Sequence, residues 1–173
     1  MDLRYPIGRF VPDAESTPAN RSRHIDGIAT FPQRFRQATI DLSERQLNTP
    51  YRDGGWTVRQ LVHHVPDSHV NAYVRLKLAL TEDLPIIKPY DEDAWSRLKD
   101  TELTSIEVSL ALLEAIHERW LTLLRNLPAE DFQRKFNHPE AGVHDIDWLI
   151  ASYDWHGEHH LAHITSLRER MKW

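Results

Sequence analysis

The chain has 173 residues, of which 40% are hydrophobic, a composition typical of one globular domain (residues 1–173) with a sizeable core. Its formal net charge of −5 argues against a nucleic-acid partner, and its lack of cysteine leaves only histidine and carboxylate groups as metal ligands. Because it carries neither a signal-peptide pattern at its start nor an apolar window long enough to span a bilayer, we expect a cytoplasmic protein with no membrane partner.

The first third of the chain predicts an arm followed by one helix. Residues 1–20 contain three prolines and a glycine, which favours an extended N-terminal arm. Residues 21–43 place apolar side chains at three- and four-residue steps, as on one face of a helix. Pro32 within this segment predicts a bend or a late start of that helix.

A second helix is predicted from Thr57 to about Leu80. Thr57-x-x-Gln60 has the form of a capping box, which marks a helix start. Pro66 lies inside the apolar pattern and should kink the helix, since it removes one backbone donor. Residues 81–103 are polar and broken by prolines, so we expect a long connection of the kind that forms functional lids or site walls.

Two more helices complete the predicted fold. Thr104-x-x-Glu107 has the form of a capping box and should open a third helix that Pro128 ends. The fourth helix should span residues 145–171, and no convincing strand alternation is visible anywhere. These elements predict an all-α protein, a four-helix bundle with one long crossover connection.

Four histidines are crowded into the segment Trp155–His163 of the fourth predicted helix. His156 and His160 are four residues apart, so their side chains share one helix face and can reach a single metal ion. They occupy positions that should hold aliphatic side chains, on an inward stripe that runs from Leu149 to Met171. Burying an unpaired polar ring costs on the order of 1–3 kcal/mol, which a shared metal ion would offset. The alternative is a hydrated polar seam.

A second histidine cluster lies on the second predicted helix, at positions 63, 64 and 69. His64 follows the inner stripe three residues after Leu61, so we favour it as the third ligand over His63 and His69. Asp67 lies about one turn further along the same face and is a candidate catalytic base or a partner that orients a ligand. A solvent-exposed carboxylate is the alternative for Asp67.

Three histidines without a thiolate leave one coordination position open, as in catalytic zinc sites. A metal ion there can lower the pKa of bound water to about 7, or it can bind a small thiol as the thiolate. The helix lacks the zinc-protease signature, since Gly157 stands where that motif needs its catalytic glutamate. With no evident base beside the ligands, delivery of a thiol is at least as favourable as hydrolysis.

Several segments, spread over nearly the whole chain, carry a family resemblance. They are Tyr5-Pro6-Ile7-Gly8, the motif TPYRDGGWTVRQ at 49–60, His63-His64 with Asp67-Ser68-His69, Pro89-Tyr90-Asp91-Glu92, and His160-Leu161-Ala162-His163-Ile164-Thr165. With them the chain resembles the YfiT branch of the DinB-like metalloenzyme superfamily.

The resemblance implies a four-helix bundle, often a homodimer, that holds one divalent metal ion, zinc or nickel. The ligands it implies are His64, His156 and His160. Members of the family resemble metal-dependent hydrolases, thiol S-transferases, which add a low-molecular-weight thiol to an electrophile, or thiol-dependent isomerases. The same resemblance implies that Arg59, Tyr90 and Trp95 are candidate residues of the substrate pocket.

We therefore expect a metal-dependent enzyme that activates a thiol or water against a small electrophilic substrate. A rival hypothesis is a non-catalytic metal-binding or stress-sensing bundle, which would need a closed site. Its fourth ligand would come from Asp67, His69 or His163. A structural bundle without a metal is the third hypothesis.

Overall fold

The computed structural model describes residues 2–173, so Met1 of the predicted arm lies outside the described residues. Within that range the chain forms helices and one small antiparallel hairpin. The elements are α1 (Pro18–Thr39), α2 (Glu44–Leu47), α3 (Val58–Thr81), α4 (Glu92–Trp95), α5 (Lys99–Leu103), α6 (Ile106–Arg125), a short 3-10 helix (Ala129–Gln133), β1 (Lys135–His138), β2 (Gly142–Asp145) and α7 (Ile146–Met171).

The four long helices form the predicted all-α four-helix bundle. Helix α1 packs against α6 and α7, and α3 packs against the same two helices, so that α1 and α3 lie on opposite corners. The crossover between α3 and α6 contains α4 and α5. Across residues 2–173, none of the helices combines the length and apolarity that crossing a membrane requires.

Local capping explains where the helices begin. At the start of α3 the Thr57 hydroxyl accepts from the Gln60 amide at 3.1 Å, and the Gln60 side chain accepts from the Thr57 amide at 2.9 Å, which confirms the predicted capping box. Asp145 caps α7 by accepting from the Trp148 amide at 2.8 Å. Helix α1 begins at Pro18, slightly before the predicted start, because proline is favoured in a first turn.

Several predictions about local structure are wrong. Helix α6 is capped by Ser105, whose hydroxyl accepts from the Glu107 amide, and not by Thr104. The expected late start of the first helix is wrong, since α1 begins at Pro18 and runs through Pro32. Helix α3 also continues through Pro66, and the bend at Pro32 and the kink at Pro66 stay predictions. The hairpin of β1 and β2 was not predicted, because four-residue strands offer too few positions for a recognisable alternation.

Two apolar clusters fill the bundle, and histidines lie between them. On α3 the residues of the first cluster end at Val65 and those of the second begin at Ala72, and His69 lies between these two positions. On α6, His117 separates Leu113 from Trp120 in the same way. The layer thus formed contains five histidines. His64, His69, His117 and His160 are buried, and His156 is half-buried.

Candidate metal centre

The structure brings together the three histidines that were predicted to bind a metal ion. His64 from α3 and His156 and His160 from α7 each offer a ring nitrogen, and these nitrogens all lie within 4.8 Å of one another. The Nε2 atoms of His64 and His156 are 3.3 Å apart. The four-residue spacing on α7 turns both of its rings toward α3, and the packing of the two helices supplies the third.

The environment keeps these imidazoles neutral. Burial lowers the pKa of His64 to about 4, and burial together with the neighbouring histidines lowers the pKa of His156 and His160 well below 6.5. A neutral ring has a lone pair available for a metal ion, whereas a protonated ring has none. Three imidazoles without a thiolate form a donor set that suits zinc, nickel, copper or iron. The residues present therefore fit a divalent transition metal.

A cavity of about 600 Å³ opens onto the three histidines. Besides the candidate ligands, it is lined by residues from the loop before α3, from α3 itself, from the crossover and from α7. They are Tyr51, Arg52, Gly54, Gly55, Trp56, Gln60, Leu61, Glu92, Asp93, Arg97, Trp155, His159 and His163. A volume of this size accommodates a small-molecule substrate.

The crossover forms one wall of this cavity, as its length predicted. The Trp56 ring packs edge to face against His64, with 4.8 Å between ring centroids, and its Nε1 donates to the Asp93 carboxylate at 3.0 Å. Gln60 donates its side-chain amide to the backbone oxygen of Ser96 at 3.3 Å. These contacts join α4 to the start of α3 beside the candidate ligands.

Two predicted site residues lie away from this cavity. Arg59 donates to the carboxylate of Glu44 and to Oδ1 of Asn48, and it is absent from the described residues that line the cavity. Asp67 is half-buried on α3 and is likewise absent from that lining. Burial, with a smaller contribution from the charge of Asp100, raises the pKa of Asp67 to about 6. Their proposed roles stay predictions.

Tyr90 and Trp95 belong to a neighbouring region. Tyr90 lines a second cavity of about 310 Å³, which shares Glu92, Trp155 and His156 with the first. Trp95 packs on Tyr90 with 4.4 Å between ring centroids and keeps 39% of its surface exposed. The second cavity therefore places Tyr90 near one candidate ligand, while Trp95 supports Tyr90 from outside.

Sequence reasoning missed the role of Glu92 as a lining residue of both cavities. Burial is the main reason that the pKa of Glu92 is raised, and the charges of Asp91, Glu140 and Asp93 add to it. Glu92 stands in the Pro89–Glu92 segment that carried the family resemblance, but no spacing rule relates it to histidines on other helices.

The bundle and its three-histidine cluster define the class of this protein. The family model of the DinB superfamily matches residues 28–164, and the chain belongs to that superfamily. This result confirms the resemblance seen in the sequence segments.

The similarity to individual relatives extends over nearly the full length of both chains. The chain is 53% identical over 173 residues to a protein of Oceanobacillus iheyensis, with 100% of each chain covered. It is 52% identical over 172 residues to a protein of Bacillus cereus, with 99% of each chain covered. Both relatives carry the name "Putative metal-dependent hydrolase". Among solved structures it is similar to YfiT from Bacillus subtilis, with a TM-score of 0.96 and 46% identity, over 100% of this chain and 99% of that one. That protein is described as "a probable metal-dependent hydrolase with an unusual four-helix bundle topology".

Proposed function

We propose that this protein is an enzyme in which His64, His156 and His160 hold one divalent metal ion, zinc or nickel, that activates a nucleophile against a small electrophile. The observation that carries the proposal is the convergence of three neutral imidazole nitrogens within 4.8 Å, from the buried His64 and His160 and the half-buried His156, beside a cavity of about 600 Å³. When bound, the ion would supply Lewis-acid activation of the nucleophile. The relatives named as metal-dependent hydrolases support the same class of chemistry.

The positions of the three candidate fourth ligands, His69, His163 and Asp67, support an open coordination position at the metal site. Both ring nitrogens of His69 are engaged, with His117 at 2.8 Å and His156 at 3.3 Å. The Nε2 of His163 faces the carbonyl oxygen of Arg4 at 3.3 Å, and among the described residues the cluster of nitrogens within 4.8 Å of one another does not include His163. Asp67 is absent from the described cavity lining. A site with three protein ligands and a cavity beside it favours catalysis over a closed structural or sensing role.

The nucleophile that we favour is a low-molecular-weight thiol, which makes the protein a thiol S-transferase. The thiol would occupy the cavity with its sulfur directed at the three histidines, and coordination would stabilise the thiolate. Hydrolysis is the second candidate, and one observation favours it: the Glu92 carboxylate lines the cavity and its pKa is raised by burial, as a general base requires.

Metal analysis is the first test of the proposal. Purified protein should contain about one equivalent of zinc or nickel by elemental mass spectrometry, and His64→Ala, His156→Ala and His160→Ala should each lose it. His63→Ala is the matched control, because His63 is a buried neighbour whose Nδ1 bonds to Ser109 instead. A parent protein that carries no metal and cannot be loaded would refute the proposal.

Activity assays then separate the two nucleophiles. The metal-loaded protein is incubated with a generic electrophile, with and without a low-molecular-weight thiol. Product that forms only with thiol identifies an S-transferase, whereas equal rates with and without thiol identify hydrolysis. Glu92→Gln should abolish hydrolysis if Glu92 is the base, and it should leave thiol transfer largely intact.

The non-catalytic alternative has a spectroscopic test. Cobalt-substituted protein should change its visible absorption when azide or a thiol displaces water from an open position. A spectrum that stays constant would favour a closed, non-catalytic site. The homodimer, the cytoplasmic location and the absence of a nucleic-acid partner stay predictions.

A further inference from the structure

A row of hydrogen bonds leads from the candidate metal centre into the middle of the bundle. Nδ1 of His156 lies 3.3 Å from Nε2 of His69, and Nδ1 of His69 lies 2.8 Å from Nε2 of His117. Nδ1 of His117 lies 2.8 Å from the backbone oxygen of Ile28. We call these three imidazoles and the carbonyl the histidine row. His69 and His117 are 0% and 1% exposed, so water does not compete for these bonds.

The carbonyl at the far end fixes the direction of every bond in the histidine row. A carbonyl oxygen only accepts, so Nδ1 of His117 must carry a proton and donate it. Because a neutral ring has one N–H, Nε2 of His117 is then an acceptor, and Nδ1 of His69 must be the donor. By the same argument Nε2 of His69 accepts from Nδ1 of His156. The Nε2 lone pair of His156 is thereby left free beside Nε2 of His64.

Pro32 explains why the carbonyl of Ile28 is available. In an α-helix this carbonyl accepts from the amide four residues later, and that residue is Pro32, which has no N–H. The carbonyl inside α1 would otherwise be a buried acceptor without a partner. His117 from α6 supplies the missing donor, so the proline inside α1 creates the anchor of the histidine row.

The surrounding rings hold the histidine row in place. Phe31 stacks on His69 at 5.5 Å between ring centroids and lies 5.8 Å from His117. Trp120 and Tyr153 meet the His69 ring edge to face at 6.0 Å and 5.2 Å. With apolar rings on several sides, neither histidine can rotate to another partner without opening the core.

We propose that His69 and His117 are positioning residues, which hold His156 in the tautomer that presents Nε2 to the metal ion. This inference rests on the metal-binding role proposed above for His156. A ligating histidine usually donates its other N–H to a carboxylate, a carbonyl or water, which orients the ring and raises its basicity. Here two further imidazoles stand between the ligand and a backbone carbonyl of α1, so three helices cooperate in orienting one ligand.

Nuclear magnetic resonance of histidine-labelled protein tests the tautomers directly. In two-bond ¹H–¹⁵N spectra of the metal-free protein, His69, His117 and His156 should all show the Nδ1–H form, and His156 should keep it when zinc is added. An Nε2–H form of His69 or His117 would overturn the proposal. If the parent takes up no zinc, the proposed function fails, while the spectra of the metal-free protein still decide the direction of the histidine row.

Variants of His117 test the consequence for metal binding. His117→Phe removes both the acceptor for His69 and the donor to Ile28, so zinc affinity measured by chelator competition should fall about 10–100-fold. His117→Gln offers an amide that can both donate and accept, and it should retain most of the affinity. His63→Phe is the matched control, since it replaces a buried histidine of α3 outside the histidine row.

Two outcomes of these binding measurements would contradict the positioning role. One is a zinc affinity in His117→Phe equal to that of His63→Phe, with both variants folded by circular dichroism. The other is an equal loss in His117→Phe and His117→Gln, because a role limited to filling space would not distinguish an amide that restores the hydrogen bonds.

Discussion

Stability of the metal-free protein should fall as the pH is lowered from 7 to 5, and His117 should account for a measurable share. Burial lowers the pKa of His117 from 6.5 to about 4. Between these two values the unfolded chain binds a proton at this ring and the folded chain does not, so unfolding becomes more favourable as the pH falls. At 1.36 kcal/mol per pH unit the whole interval is worth about 3 kcal/mol, of which about 2 kcal/mol accrues between pH 7 and 5.

Urea unfolding at pH 7 and pH 5, with a chelator present, measures this share. His117→Gln has no titrating ring at this position, so its free energy of unfolding should fall by about 1–2 kcal/mol less than that of the parent between the two pH values. With a denaturant slope of about 2 kcal/mol per M, the difference between the two midpoint shifts should be about 0.5–1 M. Equal losses in the parent and in His117→Gln would refute the reasoning.

His24 supplies a control of opposite sign for the same experiment. Its hydrogen bond with Asp154 raises the pKa of His24 above 6.5, so the folded chain binds this proton more tightly than the unfolded chain. The stabilisation is fully present below pH 6.5 and is lost as the pH rises through the folded pKa. His24→Gln should therefore lose more stability than the parent between pH 7 and 5.

Three other predictions concern stability. Chelating a metal ion present at 100 times its Kd should remove about 2.7 kcal/mol and lower Tm by about 5–10 °C; an unchanged Tm would argue against a bound metal. Gly157→Ala brings a Cβ within 3.0 Å of the buried Phe31 ring, so overpacking of about 1–3 kcal/mol should outweigh the roughly 1 kcal/mol gained in helix propensity; a raised Tm would contradict this. Asp147→Ala leaves the half-buried Arg21 without its carboxylate at 2.7 Å and should cost about 1–3 kcal/mol by urea unfolding, whereas an unchanged stability would show that water replaces the carboxylate.

The sequence was informative wherever a feature depends on neighbours along the chain. The capping box at Thr57 and the four-residue spacing of His156 and His160 were predicted correctly, because a helix sets their geometry within one or two turns. The inward stripe of the fourth helix was predicted correctly as far as Leu167, whereas Met171 in the last turn is 51% exposed. The cap of α6 was misplaced by one residue, since Thr104 and Ser105 are both good capping residues and the local sequence does not separate them.

For features that depend on how the helices pack against one another, the sequence offered a set of alternative residues and did not determine the role of each. His63, His64 and His69 share α3, and their roles follow from what each meets: Ser109 for His63, the histidines of α7 for His64, and His117 of α6 for His69. Glu92 enters the cavity wall because the crossover docks on Trp56, a contact between segments far apart in sequence.

Pro32 shows most clearly which features the sequence determines and which depend on the tertiary structure. By itself the sequence determined that a proline interrupts the hydrogen-bond pattern of an apolar helix and leaves the carbonyl of Ile28 without its amide partner. Only the tertiary structure decided that His117, from a different helix, donates to this carbonyl and directs the histidine row toward His156. The reason is that helix periodicity is a property of each segment alone, whereas hydrogen bonds between helices depend on their relative offset and rotation, which the packing of the whole core sets.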